Sequence, residues 1–137
     1  MESKLINFEK KYDMIQPQNL RIGNLIERKL MSSEDGKNEW WKIEKIGINT
    51  LVWLHDNPND SDYRYLRLNS EIMSRFGISK RIDGNYNLFK HSEVEIIIPS
   101  DFDVWKCDGI CFSVGNLEFV HQLQNLYFAL TGEELTF

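Results

Sequence analysis

An α+β fold with a mainly antiparallel β-sheet is what the patterning of this chain predicts. Three observations carry that reading. Apolar runs of strand length recur from Leu20 to Val114, separated by turns rich in Gly, Asn and Asp. A short stretch with helical spacing, Asn69 to Gly77, interrupts them. An amphipathic stretch closes the pattern, with Phe119, Val120, Leu123, Leu126, Tyr127 and Leu130 on one helical face and Gly132 just beyond it. The expected architecture is an antiparallel sheet with a short middle helix and a packed C-terminal amphipathic helix. At 137 residues the chain is expected to be an N-terminal helical arm over 1–17 and a single α+β domain over 18–137.

The elements follow in order. Leu5, Phe8, Tyr12 and Ile15 form a narrow apolar stripe, which predicts a short helix stopped before Pro17, an arm that packs on the domain or, as the alternative, docks a partner. Leu20 to Leu30 reads as a strand broken at Gly23-Asn24. Ser32 to Asn38 is a polar turn centred on Asp35-Gly36. Glu39 to Ile46 is the next strand. Ile48 to His55, after Gly47, reads as a third, with Leu51 and Trp53 on one face and Val52 and Leu54 on the other. These three predict an antiparallel meander. His55 to Asp62 is a loop, and Tyr63 to Leu68 is a short strand. In the middle helix, Asn69 or Ser70 is the expected cap, Ile72, Met73 and Phe76 face inward, and Gly77 stops it. Asp83-Gly84 is a turn between further strands. Tyr86 to Lys90 and Val94 to Ile98 are strands, the latter central, and Val104 to Val114 holds two more that turn at Asp108-Gly109.

Composition narrows the function classes. Hydrophobic residues make up 42% and aromatic residues 12%, enough for a core without disulfide staples. No run of 18 apolar residues is present, and Met1 to Lys11 has no apolar signal core, so a cytoplasmic protein is expected. The net charge is −5 and unevenly placed: residues 1–90 carry a net of +2, and residues 91–137 a net of −7 with Lys106 the single basic residue. That balance argues against a DNA-binding module that works by neutralising phosphates. It fits either a solvated acidic face or a partner with a basic surface.

Several side-chain groups carry chemistry on paper. Cys107 and Cys111, with His91 or His121, offer one metal-ligand pair where structural zinc sites show two, and both thiols fit equally well as small buried apolar groups. His55, Asp56, Asp60, Asp62, Asp101 and Asp103 suggest metal-assisted hydrolysis, but Asp is also common in loops for turn reasons. No nucleophile–base spacing, Walker loop or dinucleotide fingerprint is present, so the chain reads as a non-enzyme with no metal and no cofactor. His121, Gln122, Gln124 and Asn125 form the polar side of the last helix, either as a partner surface or as amides that fix the helix in place. Trp40 and Trp41 point to opposite faces of a strand, so one of them is exposed unless both faces are covered. Trp41, Lys42, Arg64, Tyr65 and Arg67 together offer stacking and cationic groups of the kind that hold single-stranded RNA.

Two segments, Leu20-Arg-Ile-Gly-Asn-Leu-Ile26 and Val120-His-Gln-Leu-Gln-Asn-Leu-Tyr-Phe-Ala-Leu-Thr-Gly-Glu-Glu-Leu135, resemble a family of small proteins encoded in bacterial prophages and other mobile elements. The resemblance covers roughly residues 20–135 and brings no catalytic residues with it. It implies a cytoplasmic protein of the bacterial host cell that acts by binding a host protein. By analogy with anti-CRISPR proteins, it implies an inhibitor of an RNA-guided Cas13b nuclease, bound as protein or as guide-RNA complex. In that setting the acidic face formed by Glu93, Glu95, Asp101, Asp103 and Asp108 is expected to occupy a basic RNA channel. The alternative is an accessory protein that contacts single-stranded RNA or DNA directly through the Trp41 group.

Overall fold

The computed structural model describes residues 15–91, 94–98, 106–108 and 117–137. The chain divides into two compact units, Met1–Leu66 and Arg67–Phe137. Each contains its own antiparallel sheet, and the fold class is α+β, as the patterning predicts. Of the expected arm over residues 1–17, residues 1–14 lie outside the described residues.

The first unit enters through a single 3-10 turn, Pro17–Asn19. Strand β1 (Leu25–Ser32) pairs antiparallel with β2 (Glu39–Lys45). The turn between them is held by its own polar groups. Ser33 N–H donates to the Asn38 carbonyl at 2.8 Å, and the Asp35 carboxylate accepts from Ser33 Oγ at 2.5 Å and from Lys37 N–H at 3.0 Å. Those two donors hold the Asp35 carboxyl below its ordinary pKa. Gly36 sits at φ 70°, a left-handed conformation that glycine adopts without strain. Just before β1, the expected break at Gly23-Asn24 is a tight turn, closed by Asn24 N–H donating to the Arg21 carbonyl at 3.0 Å. There Asn24, fully buried, accepts the Arg21 N–H on its side chain at 2.6 Å and the Ile46 N–H on its carbonyl at 2.8 Å.

The expected third strand, Ile48 to His55, is instead helix α1 (Ile48–Asp56), so the three-stranded meander is corrected. The short apolar run Leu51 to Leu54 fits either period. The local ends decide. Asn57 closes the helix by donating both its backbone N–H (2.8 Å) and its side-chain amide (2.9 Å) to the Trp53 carbonyl. Leu54 is the one residue of α1 that is fully buried. The third strand is β3 (Tyr63–Tyr65), which pairs with the other edge of β1 and gives the order β2-β1-β3. Ile26 and Ile46, both almost fully buried, anchor the core with Leu54 and Tyr65. Each such aliphatic side chain contributes roughly 1.5–3 kcal/mol.

In the second unit, α2 (Ser70–Arg75) is the expected middle helix. Asn69 caps it, its Oδ1 accepting the Ile72 N–H at 2.9 Å, and Ile72, Met73 and Phe76 are buried. Strands β4 (Ser79–Lys80), β5 (Tyr86–His91), β6 (Val94–Ile98) and β7 (Lys106–Asp108) form a sheet in that order, so Val94–Ile98 is interior as expected. The turn expected at Asp108-Gly109 and the strand after it run into residues outside the described set. Helix α3 (Val120–Thr131) is the expected C-terminal helix. Val120 and Leu123 are fully buried, and Gly132 ends the helix at φ 73°. Gln122 caps its start, accepting the backbone N–H groups of Glu118 and Phe119 at 3.0 Å each. After the helix the chain turns back. Gln124 Nε2 donates to the Leu135 carbonyl at 3.1 Å, and Phe137 lies 4.8 Å from the Phe76 ring.

Candidate functional site

The register of the first sheet decides which candidate side chains meet. Glu27 stands opposite both Ile43 and Arg64, and Lys29 stands opposite Trp41. By the two-residue period of strands, Glu27, Lys29, Trp41, Ile43 and Arg64 share one face. Their contacts bear this out. Arg64 crosses the central strand, places its guanidinium 3.8 Å from the centre of the Trp41 ring, and donates from Nε to Glu27 Oε2 at 2.6 Å. Lys29 Nζ lies 5.7 Å from the same ring and 3.7 Å from carboxylate oxygens of both Glu39 and Asp62. The Trp41 indole N–H donates to Glu39 at 3.2 Å.

Trp41 is therefore half-buried under an internal ion-pair network. Two cations, Lys29 and Arg64, are set against three carboxylates, Glu27, Glu39 and Asp62. The group the sequence put together for RNA contact is divided by the fold. Trp41 and Arg64 meet. Lys42 stands opposite Arg28, on the other face. Tyr65 is buried, and its hydroxyl accepts the Gln16 N–H at 2.7 Å. Arg67 belongs to the second unit, where it pairs with Glu118 at 2.8 Å and lies 5.4 Å from the Phe119 ring.

The opposite face of this sheet carries Arg28, Lys42, Glu44 and Tyr63. Arg28 Nε is 3.4 Å from Glu44. Burial, with Glu44 close by, raises the Tyr63 phenol above its ordinary pKa. Trp40 leads this face and is the exposed member of the tryptophan pair, at 48%. It stands opposite Met31, 61% exposed, beside a register shift in β1, and Leu30 is 55% exposed. Helix α1 adds a second exposed apolar set, Ile48, Val52 and Trp53. The strand period announces one exposed tryptophan, but not the apolar neighbours that surround it or the set on α1. Leu30 and Met31 sit at strand positions that a buried strand fills equally well, and the α1 set appears only once the segment is helical.

The acidic set lies in the second unit. Glu93, Asp101 and Asp103 are outside the described residues. Glu95 on β6 stands opposite Asp108 on β7 and Lys90 on β5, so the register brings two of the five acidic candidates side by side.

The remaining candidates have structural roles. Asp60 uses both carboxylate oxygens, accepting the Trp53 indole N–H at 2.7 Å and the Asp62 N–H at 2.8 Å. It fastens the end of α1 to the loop that follows. His121 is 5% exposed and stacks on Phe119 at 5.8 Å between ring centres. Burial lowers its pKa to about 4. Gln124 is 1% exposed. With Gln122 engaged at the helix cap, the polar side of α3 fixes the helix rather than facing a partner. Cys107 stands opposite Ile96 in the register, and Cys111 is outside the described residues. Among the described residues, no group of three or more His, Cys, Asp or Glu side chains is arranged to hold a metal ion, and no helix is long and apolar enough to cross a membrane.

Comparison with protein-family models, curated proteins and solved structures finds no match for this chain.

Proposed function

We propose that this chain works by binding and not by catalysis. In this reading it is a cytoplasmic inhibitor of host defence, and its partner is an RNA-guided CRISPR nuclease or that nuclease with its guide RNA. The observation that carries the binding reading is the exposed end of the β1–β2 hairpin, where Trp40 stands opposite Met31 and both, with Leu30 at the adjoining register shift, are exposed. Exposed tryptophan and methionine are enriched where proteins meet, and three large apolar side chains in solvent bear a cost that a partner relieves. In the same reading the acidic residues of 91–137, Glu95 and Asp108 among them, are a second point of attachment for a basic surface, a role supported by the net charge of −7 over that stretch. The identity of the partner rests on the mobile-element resemblance.

The direct RNA-binding alternative has less support. Arg64 is already engaged by Glu27 and covers the Trp41 ring that a base would stack on.

The test is reconstitution of a Cas13b effector, its guide and a labelled target RNA, with and without this protein. Inhibition of cleavage, lost on Trp40→Ala or on Glu95→Lys with Asp108→Lys, is the expected result. Undiminished cleavage at saturating protein removes the nuclease as partner. Salt-sensitive binding to naked RNA alone, with no capture of the effector, moves the direct-binding alternative to first place.

A further inference from the structure

The open edge of β2 is the feature that the partner-binding reading leaves unused. Among the described residues, β2 pairs with β1 alone, so the seven residues Glu39–Lys45 present one row of backbone donors and acceptors outward. Such an edge is a template for another strand. Its charges are not balanced. Both carboxylates on β2 are committed inward, Glu39 to Lys29 and the Trp41 indole, and Glu44 to Arg28. Lys42 and Lys45 are exposed and have no ion-pair partner among the described residues. One lysine lies on each face of the sheet, because 42 and 45 differ by an odd number. Trp40, half-exposed, lies two residues from Lys42 and so shares its face.

We infer that the β2 edge binds an extended acidic segment of a partner protein by adding it as an antiparallel strand. This inference rests on the partner-binding reading and names its chemistry. The backbone row supplies affinity, and the side chains supply choice. Antiparallel pairing sets the order of the ligand. One acidic residue stands opposite Lys45, a second three residues on stands opposite Lys42, and an aromatic or large aliphatic residue two further on stands opposite Trp40. A polyanion such as RNA satisfies the two lysines but leaves the backbone row unanswered, which is why a peptide is favoured.

The experiment uses a fluorescein-labelled peptide with two glutamates three residues apart, a phenylalanine two residues beyond the second, and valine or threonine elsewhere. Binding to the full chain is followed by anisotropy. Methylating one alternate set of peptide nitrogens is expected to abolish binding, while methylating the other set leaves it intact. Replacing both glutamates by lysine, or changing the protein by Lys42→Glu with Lys45→Glu, is expected to weaken binding by about tenfold or more. Circular dichroism confirms that the double variant is folded. Equal binding of the two methylated peptides, or of the lysine peptide, overturns the inference. So does stronger binding of a labelled oligouridylate that is lost in the same double variant. Effector capture that persists in that variant removes the edge as the contact while leaving the partner-binding reading in place. Peptide binding without effector capture supports the edge and removes the nuclease.

Discussion

Arg64 and Trp41 sit on the two outer strands of a three-stranded sheet and meet over the central one, guanidinium against indole at 3.8 Å. The contact joins β3 to β2 without a hydrogen bond between those strands. Arg64 is also tied to Glu27 at 2.6 Å, so its position is fixed from two sides. A double-mutant cycle of Arg64→Ala and Trp41→Ala is expected to show a coupling of about 0.5–1 kcal/mol, the range for a partly exposed cation–π pair. Urea denaturation of the four proteins measures it. A coupling of zero means the stacked geometry adds nothing to the stability of the sheet.

Acid is expected to destabilise the second unit through His121. Its folded pKa, near 4, lies below the ordinary value of 6.5, because burial disfavours the imidazolium. Above pH 6.5 both folded and unfolded chains hold a neutral ring, and the full stability is present. As pH falls from 6.5 towards 4, the unfolded chain takes up a proton that the folded chain refuses, and stability drops by up to about 3 kcal/mol. His121→Gln should flatten that part of the profile. An unchanged slope between pH 6.5 and 4 assigns the acid sensitivity to other groups.

Gln124 ties α3 to the chain that follows it through a buried hydrogen bond to the Leu135 carbonyl. Gln124→Ala removes that donor inside the core and is expected to cost about 1–3 kcal/mol. The loss should also release the segment 133–137, read as faster amide exchange there. Equal exchange in the variant and the parent would show that the packing of Leu135 and Phe137 holds the segment unaided.

Much of the fold is legible in the sequence. The helix ends are written in single residues: the Asn69 cap, Gly77, and Gly132 after the last apolar face. The hairpin turn is written in Asp35-Gly36. Two features are not. The apolar run Leu51 to Leu54 fits a strand as well as a helix, and the Asn57 and Asp60 contacts that favour a helix come from residues downstream of the pattern. The pairing of β3 with β1 skips over that helix, and periodicity carries no information about which strand lies beside which. The site is less legible for the same reason. Adjacent basic and aromatic residues in sequence, Trp41 beside Lys42 and Arg64 beside Tyr65, are sent to opposite faces by the strand period, and the carboxylates that neutralise Arg64 and Lys29 come from elsewhere in the sheet.

The hydrogen bonds of the Ser33–Asn38 turn all join residues no more than five apart. Closing that loop requires little of the chain to be ordered beforehand. The β1–β2 hairpin therefore closes across a shorter loop than the pairing of β1 with β3. Pairing of β3 with β1 must wait for a longer stretch, including α1, to come into place. β2, which pairs with β1 alone among the described residues, thus takes its place through a local hairpin that does not need the rest of the sheet.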